Sequence, residues 1–165
     1  MSAREPRAHD KSHRDRQIDE VLHDPYHARS KPPEPAVCSQ CGLVYHKGRW
    51  QRVARPARAD EHVCPACHRI NDRAPAGYVT LSGPYVTAHE DELLRLVRNE
   101  AARQGQDHPL ARIMDVERRE GTVTVTTTDV HLARRIGDAL RAAFHGELTI
   151  KYSADEYRVR VNWQG

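Results

Sequence analysis

The 165-residue sequence predicts an α+β protein, and three observations carry that expectation. All four cysteines fall in two Cys-x2-Cys pairs, Cys38/Cys41 and Cys64/Cys67, inside a short polar stretch. From Gly77 onward, short runs of apolar residues alternate with longer stretches of helical spacing. Before residue 37 neither pattern is present. Together these divide the chain into a disordered or extended tail (1–36), a four-cysteine zinc ribbon (37–73) and a ferredoxin-like split βαβ domain (77–163).

Composition narrows the class. Hydrophobic residues make up 38%, charged residues 30% and aromatics 5%, with a mean hydropathy of -0.80. That is lean for one well-filled core, so part of the chain is expected to stay unpacked. No apolar run approaches the ~20 residues a membrane span needs. The first residues, MSAREPRAHDKSHRDR, contain no apolar stretch of the kind a signal peptide carries. Membrane, secreted and fibrous classes are excluded on these grounds, and the expectation is a soluble, cytoplasmic protein.

The tail mixes seven basic and seven acidic residues with four histidines, and its one apolar patch is Ile18, Val21 and Leu22. A marginal helix over roughly 15–23 is the most it supports, because short isolated helices gain too little. Lys31-Pro-Pro-Glu-Pro then imposes an extended approach to the next module.

In the cysteine module each pair can turn two thiolates toward one centre, and four such ligands match tetrahedral zinc. Twenty-two residues separate the pairs. Gly42 follows the first knuckle, where a permissive backbone lets amides approach sulfur, and Pro65 sits inside the second. Leu43–His46 and Arg49–Val53 can form the ribbon's hairpin. Four cysteine ligands close the shell, so the expected ion is one structural zinc with no position for an activated water. A disulfide pair, disfavoured in a reducing cytosol, and an iron–sulfur centre are the other readings of four cysteines. His46, His62 and His68 lie nearby as alternative ligands or as solvated loop histidines.

Charge is uneven along the chain. The formal net charge is +3, made of 0 over residues 1–37, +4 over 38–76 and -1 over 77–165. Twenty-two of the 26 basic residues are arginine, whose planar fork suits phosphate and base stacking; arginine-rich codon usage gives the same count. Lys47, Arg49, Arg52, Arg55, Arg58, Arg69 and Arg73 surround the cysteines and are candidate nucleic-acid contacts. Trp50 among them either stacks on a base or plugs the ribbon's small core, which needs every large side chain it has.

The C-terminal segment reads as β-α-β-β-α-β-β. Tyr78–Ser82 alternates as a strand, and His89–Gln104 places Leu93, Leu94, Leu96, Val97 and Ala101 at helical spacing. Ala111–Glu117 is a second strand, and Gly121 turns the chain into Thr122–Thr127. Asp129 caps the helix Val130–His145, whose buried stripe is Leu132, Ala133, Ile136, Leu140, Ala143 and Phe144, and Gly146 ends it. Glu147–Tyr152 and Tyr157–Trp163 complete the sheet around a tight turn. Two helices on one face of a split βαβ sheet, with one extra edge strand, fit this order.

Alternation separates the two faces of that sheet. Val79, Leu81, Val123, Val125, Leu148, Ile150, Val159 and Val161 should meet the helices. Thr80, Thr124, Thr126, Thr149, Lys151, Arg158, Arg160 and Asn162 should form an opposite face that is polar, mildly basic and acid-poor. Lys151, Arg158 and Arg160 are therefore further candidate nucleic-acid contacts, against the simpler reading of a solvated sheet face. Thr122–Thr127 lacks the paired aromatics of an RNA-recognition motif. Arg134, Arg135 and Arg141 line the outer side of the last helix, where Asp138 can pair with Arg134 or Arg141.

Catalytic patterns are missing. There is no Gly-x4-Gly-Lys-Ser/Thr loop, Gly-x-Gly-x-x-Gly, Gly-x-Ser-x-Gly or His-Glu-x-x-His. Thr126-Thr-Thr-Asp129 at a helix start can hold an anion or act simply as a cap. No residue is assigned a catalytic role, and a non-enzymatic protein is expected.

Several strings resemble a family of bacterial zinc-ribbon proteins associated with a low-oxygen-activated locus. They are Asp24-Pro-Tyr26, Lys31-Pro-Pro-Glu-Pro, Cys38-x2-Cys-Gly, Gly48-Arg-Trp50 and Cys64-Pro-Ala-Cys67. Pro75-Ala-Gly-Tyr-Val-Thr-Leu-Ser-Gly83, Pro109-Leu-Ala-Arg-Ile113 and Thr126-Thr-Thr-Asp-Val-His-Leu-Ala-Arg-Arg-Ile-Gly137 continue the match. The resemblance implies a link to oxygen limitation or stress and supplies no active site. Paired CxxC knuckles before a small α/β domain are also similar to adaptor proteins of the large ribosomal subunit in archaea and eukaryotes. The resulting expectation is a zinc-stabilised RNA- or ribosome-binding protein. The alternatives are a protein-interaction adaptor or regulator docking through the ribbon, and a thiol-based redox sensor.

Overall fold

A computed structural model describes residues 24–28 and 31–165. The helix expected over 15–23 lies outside the described residues. Among the described residues the fold is α+β, with four helices and two mixed sheets. Among the described residues no helix is long and apolar enough to cross a membrane.

The chain enters through a one-turn helix, α1 (Pro25–Ala28), begun by Asp24, whose carboxylate accepts the Tyr26 amide at 3.0 Å. A small sheet follows: β1 (Ala36–Cys38), β2 (Val44–His46), β3 (Arg49–Gln51) and β4 (Asp60–His62), in the order β3-β2-β1-β4. The β2–β3 hairpin is the one read from the sequence. Its turn residues Lys47 and Gly48 both have positive φ, and the Glu34 carboxylate accepts both of their amides. Strand β1 pairs in parallel with β4. Neither was foreseen, because three residues give no readable period.

Helix α2 (Pro65–Asp72) was also missed. Cys64 is its N-cap, Pro65 opens its first turn, and Arg73 in the left-handed region ends it by donating its amide to Arg69 and Ile70 carbonyls. The second knuckle is thus the start of a helix.

Five strands and two helices make the larger unit: β5 (Gly77–Ser82), α3 (Pro84–Asp107), β6 (Ile113–Arg119), β7 (Thr122–Thr127), α4 (Val130–Ala143), β8 (Glu147–Tyr152) and β9 (Val159–Gln164). The order is β6-β7-β5-β9-β8, with β5 and β9 parallel and every other pair antiparallel. The added strand therefore enters inside the sheet: β9 lies between β8 and β5, and β8 takes the edge. Burial explains the order. The inward residues of β9, Val159, Val161 and Trp163, are fully buried, whereas Leu148, Ile150 and Tyr152 of β8 are half-buried.

Both helices pack on the face formed by Val79, Leu81, Val123, Val125, Val159 and Val161. Helix α3 begins five residues before the expected start, because a first turn from Pro84 is joined to the main helix across a kink at His89 (φ -132°, ψ 28°). Helix α4 lies closer to the sheet. A Cβ on Gly137 would sit 2.6 Å from Val161 Cγ1 and 3.1 Å from Leu148 Cδ1, so hydrogen is the only side chain that fits. Gly137→Val is expected to lower stability by about 2 kcal/mol through overpacking against a strand that cannot move away. Chemical denaturation measures it; an unchanged midpoint would refute the tight seat of α4 on β9.

Candidate metal centre

Strand β1 delivers Cys38, and a turn closed by Gly42 N–H on the Cys38 carbonyl (3.0 Å) brings Cys41 back beside it. Gly42 holds φ at +79°, a conformation that L side chains rarely adopt. Cys64 and Cys67 project from the cap and first turn of α2, where the partial positive charge of a helix N-terminus favours thiolates. The four sulfurs all lie within 4.8 Å of one another, and Cys41 and Cys64 Sγ are 3.7 Å apart. A zinc ion at about 2.3 Å from four sulfurs sets a tetrahedral edge of about 3.8 Å, so one ion fits this cage. The cysteines are free, without disulfides. His46, His62 and His68 are exposed and outside the cluster.

Hydrogen bonds to sulfur come from two sources. Burial raises the Cys38 thiol, but the backbone amides of Cys64, Cys41 and Gln40 outweigh it and lower its pKa to about 6. The Cys64 amide lies 3.3 Å from Cys38 Sγ, and the Cys67 amide 3.4 Å from Cys64 Sγ. Burial pushes both Cys64 and Cys67 up, against hydrogen bonds that lower them.

The second source is Arg112, from the link between α3 and β6. Its fork donates to Cys41 Sγ at 3.2 Å and Cys67 Sγ at 3.4 Å, with Cys64 Sγ at 3.9 Å. Burial works against the Arg112 charge, but the cysteines beside it more than offset that and raise its pKa. Sequence reasoning passed over Arg112. Its one signal was its place in Pro109-Leu-Ala-Arg-Ile113.

The expected basic contacts divide. Lys47, Arg49, Arg52, Arg55, Arg58 and Arg73 are exposed. Arg52 also reaches across to donate to the Gly105 carbonyl, and Arg55 makes a solvent-exposed pair with Glu61 at 3.6 Å. Arg69 departs from the expectation of a surface contact: it is 4% exposed, donates to Asp24 at 2.6 Å and to the Ala74 carbonyl, and packs over the Tyr26 ring. Its position inside α2, one turn past the buried Pro65 and Ala66, turns it inward. Trp50 fills the small core with Leu43, Ala66 and the buried cysteines.

Lys151, Arg158 and Arg160 lie on the open face of the larger sheet, where Arg160 and Arg158 approach the Tyr78 ring at 4.8 and 5.9 Å. That face is not acid-poor. Register places Asp115, Glu117 and Arg119 opposite Thr126, Thr124 and Thr122, and Glu147 opposite Gln164, so acidic and basic residues mix on that face. The Thr126–Asp129 string is spent on structure: Asp129 accepts the Leu132 amide, Thr127 donates to the Asp129 carbonyl, and Thr128 donates to the Leu110 carbonyl.

One feature had no sequence signal at all. A cleft of about 1220 Å³ separates the small sheet from the larger unit, with Arg49, Trp50 and Arg52 on one wall and His108, Leu132 and Arg135 on the other.

Set against known proteins, the chain matches no family model, no curated protein and no solved structure.

Proposed function

We propose that the chain is a non-enzymatic, zinc-stabilised protein that associates with RNA or the ribosome under stress or low oxygen. The four-sulfur donor set and its close spacing favour zinc, which would supply fold stability and leave no open coordination position. The larger unit is read as a variant of the ferredoxin-like split βαβ arrangement, in which β7 and β8 flank β5 and the added β9. The resemblance of the cysteine pairs supplies the ribosomal part of this reading, and that of the strings from Asp24 to Gly137 supplies the low-oxygen part.

The observation that carries RNA association is the cleft, whose lining includes both Arg49 of the ribbon and Arg135 of α4. Both are exposed arginines on rigid elements, suited to phosphate contacts. The paired reversal Arg49→Glu/Arg135→Glu is expected to weaken RNA or ribosome binding at least tenfold and to flatten its salt dependence by about two counterions. Co-sedimentation and filter binding across a salt series check this. Equal binding by both proteins, or no binding by wild type, would contradict it.

A thiol redox sensor is the second reading, favoured by one observation: Cys41 is exposed while its three partners are buried. Retention of zinc through mild peroxide treatment would remove that reading.

A further inference from the structure

The four sulfurs draw their hydrogen bonds from two parts of the chain. Here the labour is divided. Cys38 and Cys64 receive amides from within the cysteine module, while Cys41 and Cys67 receive the fork of Arg112, some 45 residues beyond Cys67 in the chain. That arginine belongs to the larger unit. Its amide donates to Thr128 Oγ1 at 2.9 Å, its carbonyl accepts the Thr128 amide at 2.9 Å, and its Nε donates to the Pro109 carbonyl at 3.0 Å. Thr128 is itself buried at the entry to α4 and donates to the Leu110 carbonyl. The backbone of Arg112 is thus fixed to the five-stranded unit and its side chain is spent on the metal centre.

We propose that Arg112 is a clasp through which metal occupancy sets the docking of the cysteine module on the larger unit. This rests on the reading of the four cysteines as a metal centre. A metal held by four thiolates carries net negative charge, and a guanidinium spanning three of the sulfurs neutralises part of it with directional hydrogen bonds. With the metal bound, the three sulfurs form a fixed acceptor for the fork. Without it, nothing holds them in one place and the fork loses its seat. Leu110 packing against the cysteine core and Arg52 donating to the Gly105 carbonyl lie along the same seam, so release at Arg112 would loosen contacts on both sides of it. The cleft opens between these same two parts, so its width would follow the metal.

The test uses the full chain loaded with zinc, and Arg112→Ala, Arg112→Lys and Arg112→Gln. Competition with a chromophoric chelator reads zinc affinity, and backbone amide spectra read docking. Arg112→Ala and Arg112→Gln should weaken zinc by about 10–100-fold, the range for partners that orient metal ligands, with Arg112→Lys between them and wild type because it keeps charge without the fork. Zinc removal from wild type should shift the amides of Gly105, Leu110, Ala111 and Thr128, and loaded Arg112→Ala should already show those shifts. Unchanged protection of the β5 and β9 amides in each variant establishes that the larger unit stays folded. Wild-type affinity in Arg112→Ala, or zinc removal that leaves the Leu110–Thr128 amides unmoved, overturns the clasp. A wild-type chain that takes up no zinc overturns both the clasp and the metal reading, which separates the two failures.

Discussion

Removing a metal from the four-cysteine site is expected to unfold residues 36–73 and leave the five-stranded sheet standing. The small core consists of Cys38, Leu43, Trp50, Cys64, Ala66 and Cys67, so half of its buried members are ligand positions. Its strands are three residues long and its helix eight, too short to hold themselves. The metal must therefore provide the folding free energy, which for structural zinc sites is about 10–16 kcal/mol near neutral pH. The larger unit has its own apolar core, from Val79 to Trp163, with no metal ligand in it. Cys64→Ser should reproduce the effect of chelation, since it removes a metal ligand while keeping a side chain that can cap α2. The two tryptophans separate the units: the indole resonance of Trp50 should collapse to its unfolded position while that of Trp163 persists.

Acid should do the same by protonating the ligands. Cys38 has a folded pKa lowered to about 6, so the stabilisation its thiolate provides is present above its ordinary thiol value and is lost as pH falls through about 6. Burial raises the Cys64 and Cys67 thiols, so these groups favour a proton over staying ionised without a metal. Metal release on acidification should accordingly carry the Trp50 transition with it. Persistence of the folded Trp50 signal in excess chelator would contradict the structural role of the ion.

Trp163→Ala should be the most damaging substitution in the larger unit. Among the described residues its side chain is the largest that is fully buried, and it lies edge-on to Tyr85 and Phe144 at 6.3 and 6.4 Å. Truncating a buried Trp costs about 3–5 kcal/mol, which in a unit of this size lowers Tm by roughly 15–30 °C. Trp163→Phe should cost far less. The indole Nε1 is buried with no hydrogen-bond partner among the described residues, and removing an unpaired buried donor recovers part of a desolvation penalty of about 1–3 kcal/mol. Thermal unfolding of the two variants compares them directly. Equal losses would mean that the indole is satisfied and the aromatic packing is not what holds β9 in the sheet.

Legibility in the sequence followed locality. Thr122–Thr127 and Glu147–Tyr152 were readable residue by residue because a strict alternation runs their whole length. The four ligands were readable because each pair is a local spacing. Helix α2 was hidden by its own chemistry: Cys-Pro-Ala-Cys reads as a knuckle, and the rest of the helix is polar apart from Ile70. The start of α3 was hidden by the break at His89. Arg69 read as a surface charge because its partner, Asp24, is distant in sequence and precedes the module. Arg112 and the cleft are products of how the two parts meet, and no periodicity records that. Strand order failed for the same reason. The pattern gave five strands but could not say that the last would enter between β8 and β5.

X-ray absorption at the zinc edge on the full chain, purified without added metal, tests the central claim most directly. The expected result is one zinc per chain with four sulfur scatterers at about 2.3 Å, lost in Cys64→Ser. Iron, a shell containing nitrogen or oxygen, or a metal-free folded chain would contradict it.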